Sequence, residues 1–308
     1  MRHIRNVGTG GVGHEADARA VLRALGIDPS EGNLLCVMGN WRWSGDFDVD
    51  DPRWRRLVEW ERKQIGREPW VVHRIEYSSA ELAAAEMLEI GLKTEPRGDI
   101  GPSQGTRYDL SEACPACHSG ATVIPPFYIE ARVLPKKRCV AATHQNVKLV
   151  SGALLDELAS RHHSSAWLVP VADSRGRKPV PWAAILPRVT LPRLERSSKG
   201  FLRDTNVGPK SWGPCPKCER DMWHTTSKEA FEPVLSRRKI AEACGAFMVP
   251  GQMYPDVAAS WERAWAGVRP NGLDNVSVPF IFVNQAVYQI LCKHAKKYLR
   301  ATPVTMVE

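Results

Sequence analysis

The 308-residue chain lacks any apolar run near the ~20 residues that a membrane span needs. Its first residues, Met-Arg-His-Ile-Arg-Asn-Val-Gly, lack the apolar core of a signal peptide. Both absences predict a cytoplasmic protein, and in that compartment paired cysteines favour metal over disulfide. The catalytic signatures G-x-S-x-G, H-E-x-x-H and the Walker loop do not occur, and no separated carboxylate pair stands out. The expectation is therefore a protein that is not an enzyme. Aromatic residues are not interleaved with the basic segments, as a single-strand-binding groove would favour.

What the chain does have is enough apolar residue, 43%, to build a sizeable core, and enough length for one large domain or two. Its net charge of +8 is uneven. Residues 1–110 hold 15 Lys and Arg against 18 Asp and Glu; residues 111–308 hold 27 against 16. This shift places a boundary near 110, between an acidic N-terminal α/β region and a basic α+β domain. The basic half points to an acidic partner, either protein or nucleic acid.

That half also carries two short pieces, Cys114-Pro115-Ala116-Cys117 and Cys215-Pro216-Lys217-Cys218. Each Cys-x-x-Cys turn offers two thiolates at the bite of a tetrahedral Zn²⁺, so two turns complete a shell. The pairs of a compact zinc module lie roughly 15–20 residues apart; here nearly a hundred intervene. The reading is a structural Zn²⁺ held by Cys114, Cys117, Cys215 and Cys218 that clasps remote segments. His118 and His224 stand close enough in sequence to replace a ligand, and a redox dithiol is the third alternative. Cys36, Cys139, Cys244 and Cys292 sit singly among apolar neighbours and read as buried small hydrophobes.

Along the chain, Gly8, Gly10 and Gly13 match G-x-G-x-x-G. However, Arg2-His3-Ile4-Arg5 makes a poor buried strand and Asp28 falls too early, so a glycine turn is expected. Asp46, Asp48, Asp50 and Asp51 read as a solvated acidic loop before a helix over 53–64, and residues 71–77 as a strand. Ser78 and Glu81 form a capping box for a helix running to about Ile90, stopped by Gly91. Strands are expected at 122–134, interrupted by Pro125 and Pro126, and at 139–143. Residues 173–213 read as a basic, proline-rich loop, 255–265 as a short helix capped by Asp256, and 275–283 as a strand. His73, His144, His162 and His163 read as structural. The basic segments 136–138, 237–239 and 293–300 could contact phosphates.

Leu149–Val171 aligns with Phe282–Val304 at a constant offset of 133, matching Val150 with Val283, Leu158 with Leu291 and Pro170-Val171 with Pro303-Val304. Ser151 and Asn284 fall at the same place and are both good N-caps. The expectation is an internal repeat over 138–171 and 271–304, each copy a strand–helix–strand unit.

Two widely separated Cys-x-x-Cys turns and the C-terminal pattern PFIFVNQAVYQILCKH…TPV resemble the double-CXXCG proteins, immunity proteins of bacterial polymorphic-toxin systems. The resemblance covers roughly residues 108–308. His118 and Glu219 stand where the family has its fifth-position glycines. It implies a non-enzymatic, zinc-stabilised protein whose partner is a cognate toxin, and it carries over only the four cysteines. The alternative is a zinc-containing nucleic-acid-binding protein.

Overall fold

The computed structural model describes residues 2–9, 12–37, 39–65, 70–93, 102–143, 147–161, 167–199, 215–220, 222–223, 230–248, 252–261, 263–264 and 279–308. The expectations at Gly10, His144, His162, His163 and His224 lie outside them. The chain is mixed α+β and divides into two compact units, Met1–Ser79 with two short later pieces, and the remainder.

The first unit follows β1 (Arg2–Gly8), α1 (Glu15–Ala24), β2 (Gly32–Val37), β3 (Asn40–Asp48), α2 (Pro52–Ile65) and β4 (Trp70–Glu76). Its strands lie in the order β2-β3-β1-β4, and every neighbouring pair is antiparallel. This is a ferredoxin-like βαββαβ arrangement. Val7, Trp43 and Phe47 on the sheet pack with Leu22 of α1 and Leu57 of α2. The Trp43 indole lies across the paired Gly32 and Gly45; a Cβ at Gly45 would fall 2.2 Å from the ring. Glycine is required there for close approach.

Three expectations change in this unit, at Arg2–Gly8, at the aspartates and at Cys36. Arg2–Gly8 does form a strand, in which Ile4 and Val7 are buried, Arg5 lies over the Trp54 ring and exposed Arg2 pairs with Asp48 of β3. The strand that follows α1 is an edge strand not adjacent to β1, so the dinucleotide pattern is absent despite the strand–glycine–helix order. Asp46 and Asp48 lie on β3, where Phe47 alternates inward between them. Cys36, on the edge strand β2, is exposed rather than buried.

The second unit contains α3 (Ser79–Ala84), β5 (Met87–Leu92), β6 (Arg107–Asp109), β7 (Thr122–Ile124), β8 (Phe127–Ile129), β9 (Val140–Ala142), β10 (Lys148–Ser151), α4 (Gly152–Ala159), β11 (Leu168–Asp173) and β12 (Pro179–Ile185). After these come β13 (Met222–Trp223), β14 (Val234–Ser236), α5 (Arg237–Cys244), β15 (Val257–Ala259), β16 (Arg263–Ala264), β17 (Ile281–Asn284), α6 (Gln285–Ala295), β18 (Leu299–Pro303) and β19 (Thr305–Val307). Two sheets dominate, ordered β8-β11-β12-β10-β9 and β15-β17-β5-β18. Between them lies a core that includes Leu88, Ile90, Val150, Leu154, Leu158, Val283, Val287 and Leu291, with α4 packed against α6.

The Ala- and Leu-rich stretch after Ser78 is helical only to Ala84. Met87–Leu92 is instead the central strand between β17 and β18, because Leu88 and Ile90 alternate into the core. That pairing draws residues 80–110 into the second unit and moves the division from 110 to 79. Pro179–Ile185, inside the expected loop, is likewise a central strand, between β10 and β11. Asp256 caps no helix; it accepts both nitrogens of Arg161 at 3.0 and 2.7 Å, and Val257–Ala259 is a strand. Asn284 caps α6 through its side chain, whereas Ser151 occupies the cap of α4 without such a bond.

Candidate metal centre

The β6–β7 hairpin frames the first cysteine turn, and the second turn lies just ahead of β13. Both turns are built the same way. The His118 N–H donates to the Cys114 carbonyl at 2.8 Å, and the Cys114 N–H to Ser119 at 2.9 Å. In the second turn Glu219 donates to Cys215 at 2.8 Å and Cys215 to Arg220 at 3.1 Å. The chain can make this reversal only if the fifth residue turns left-handed, and His118 and Glu219 have φ of 55° and 56°. These are the positions where a glycine would carry no Cβ penalty.

The four sulfurs lie within 4.8 Å of one another, with Cys114 Sγ 3.7 Å from Cys215 Sγ and Cys117 Sγ 3.6 Å from Cys218 Sγ. A disulfide needs about 2.05 Å, and all four thiols are free. A tetrahedron of Zn–S bonds of about 2.3 Å has edges of about 3.8 Å. The cluster could therefore hold a metal ion, and like meets like across it: first cysteine with first, second with second.

Electrostatics divides the four. Burial pushes the Cys114 thiol up, but the N–H groups of Ala116 and Cys117 and the neighbouring thiols outweigh it and bring it down to about 6. Cys215 is also lowered, as the N–H groups of Cys218 and Lys217 outweigh its burial. Cys218 is pushed up to about 12 by burial, despite a bond from Arg220, and by sharing protons with the other sulfurs. Thiolates this close repel one another, so some keep their protons until a cation offsets the charge.

The grouping contains all four predicted ligands and, among the described residues, no other. His118 does not join it. Ser119 escaped the sequence reading: its buried hydroxyl lies 3.1 Å from Cys117 Sγ, where it would orient a metal-bound sulfur. Arg220, at the end of the second turn, stacks on Trp261 with its carbon 5.6 Å from the ring centre, and Arg193 approaches the same ring at 5.3 Å. The only sequence signal for Ser119 was a short polar residue two places past a cysteine.

No protein-family model, curated protein or solved structure matches this chain. The functional reading therefore rests on the geometry of the site and its setting.

Proposed function

We propose that the chain is a non-enzymatic, zinc-stabilised module that binds another protein, as the resemblance to double-CXXCG immunity proteins implies. The observation that carries the zinc is the convergence of four free thiols from turns about a hundred residues apart into one cluster of tetrahedral dimensions. An all-thiolate shell with four protein donors leaves no open position for substrate, which suits a structural ion.

In the same reading, residues 138–171 and 271–304 are two related strand–helix–strand copies, and the likeness extends into the strands around them. β10 and β17 begin 133 residues apart, and the pairings Val150↔Ala183 and Pro170↔Ala183 have counterparts in Val283↔Leu88 and Pro303↔Leu88. Val140-Ala141-Ala142 flanks β10 as Val257-Ala258-Ala259 flanks β17, in matching register. Side-chain bonds also recur. Thr143 Oγ1 accepts from the Val147 N–H at 3.0 Å, and Ser260 Oγ from the Phe280 N–H at 3.0 Å. The Thr106 hydroxyl accepts from the Tyr128 N–H, and the Ser198 hydroxyl from the Val234 N–H, both at 2.9 Å. A strand earlier in the chain than each cysteine turn occupies a like place: β5 lies between β17 and β18, and β12 between β10 and β11. The coincident registers and hydroxyl bonds support the repeat.

The test is the metal content of protein purified without added metal, for wild type and Cys215→Ser. One zinc per chain, lost in the variant together with cooperative unfolding, is the expected outcome. Wild-type protein free of zinc overturns the proposal. For the partner, the gene immediately upstream should encode a toxin whose killing is relieved by co-expression of this chain; no protection removes the immunity reading.

A further inference from the structure

The near-symmetry of the second unit supplies an internal control for its surface charge. A basic helix end is ordinarily explained by the helix dipole. That explanation applies equally to α4 and α6, yet α4 has no basic residue in its last turn whereas α6 has Lys293 and His294 and continues into Lys296 and Lys297. At the offset of 133, Lys293, Lys296 and Lys297 correspond to Ser160, His163 and Ser164. Lys136, Lys137 and Arg138, just ahead of β9, correspond to Met253, Tyr254 and Pro255 ahead of β15. The fold thus forms the same elements without these cations.

The structure brings the two basic segments together on one surface. Cys139 Sγ rests 3.6 Å from the His294 carbonyl, which docks the 136–139 loop on the end of α6. The Arg138 guanidinium stands 5.1 Å and the Lys297 ammonium 4.9 Å from the centre of the Tyr298 ring. Lys136, Lys137, Arg138, Lys296 and Lys297 are all exposed. At the rim, Lys293 and His294 already take one carboxylate, Glu157, at 2.8 and 2.7 Å.

We infer that this surface, centred on Tyr298 and carried by one half only, is the docking face for an acidic protein partner. The inference rests on the proposed protein-binding role and names the chemistry of its partner. Charge complementarity selects the class: clustered carboxylates, received as Glu157 is received at the rim. Arg and Tyr at the centre match the composition of protein hot spots. With two cations held against the Tyr298 ring, no free aromatic platform is offered for stacking a base.

The experiment uses the full-length, zinc-loaded protein with two probes, poly-L-glutamate and a short DNA duplex, at ~50 and ~200 mM salt. Poly-L-glutamate should bind, more weakly at the higher salt, and the duplex should bind less tightly. The triple change Lys136→Glu, Lys137→Glu, Lys297→Glu should weaken poly-L-glutamate binding at least tenfold while leaving metal content and unfolding midpoint unchanged. Arg175→Glu with Lys178→Glu, on the exposed turn between β11 and β12, should change it less than twofold. A triple variant that binds like wild type, or a wild type that binds no poly-L-glutamate, overturns this surface and leaves the zinc-module reading standing. Tighter binding to the duplex overturns the protein-partner reading itself.

Discussion

At the scale of single residues, the two cysteine turns impose a backbone requirement that their sequences meet at a cost. His118 and Glu219 hold a left-handed conformation that costs an L-residue on the order of 1 kcal/mol. The hydrogen bonds that close each turn come from the backbone and do not need either side chain. His118→Gly should therefore raise the stability of the metal-loaded protein, by a few tenths of a kcal/mol after the entropy of the freer unfolded chain, roughly 0.4–1 kcal/mol, is set against the relieved strain. Glu219→Gly should act in the same direction. The check is the urea midpoint at constant slope, and a lower midpoint in both variants would show that the side chains contribute more than their strain costs. The two turns thus share one shape although their fifth residues differ.

At the scale of elements, long-range pairing ties early and late parts of the second unit together. β5 lies between β17 and β18, and β12 lies between β10 and β11. Cutting the chain in the turn between β11 and β12 should consequently leave two pieces that elute as one species under native conditions and separate only in denaturant. Pieces that part without denaturant would contradict these pairings. These central strands are also what the sequence hid. The stretch Met87–Leu92 follows a capping signal and a helix-forming run, so local propensity favours continued helix, and only pairing with β17 and β18 decides for strand. Pro179–Ile185 is short and flanked by proline and basic residues, so its apolar centre Trp182–Ile185 reads as loop. Other elements fared better: α2, β4, β9, β10 and β17 follow from their own periodicity or composition. The four cysteines were the most legible part of the candidate site, because Cys-x-x-Cys spacing is a local code, whereas the meeting of two remote turns in one cluster is set by the fold.

At the scale of the molecule, two carboxylates on and beside β5 give the acid stability profile opposing contributions. Glu86 lies just before the strand and accepts hydrogen bonds from Arg237 of α5 and from the Tyr254 hydroxyl; Arg237 also reaches Glu308 near the C-terminus. The Arg237 bond first, and then that of Tyr254, holds the Glu86 carboxyl below its ordinary 4.5. A carboxyl lowered by folding contributes stability that is present above 4.5 and is lost as pH falls through the lowered value. Glu89, three residues on, is fully buried; desolvation raises its carboxyl above 4.5 despite Lys148 and Arg300 nearby. The folded state therefore takes up that proton more readily than the unfolded chain, and Glu89 gains stability as pH falls toward 4.5. Lys148 is equally buried, its Nζ without a hydrogen bond and its own value lowered by desolvation. Removing one member of such a pair leaves the other charge buried, so single variants are compared by the slope of stability with pH rather than by its level. Glu86→Gln should flatten the fall in urea midpoint below 4.5, because the tie that acid would break is already uncharged. Glu89→Gln should remove the compensating gain above 4.5 and make the decline from neutral pH steeper. Parallel profiles for wild type and both variants would place the acid sensitivity elsewhere, with the cysteine cluster, where protons compete with any bound cation for the thiolates, as the next group to examine.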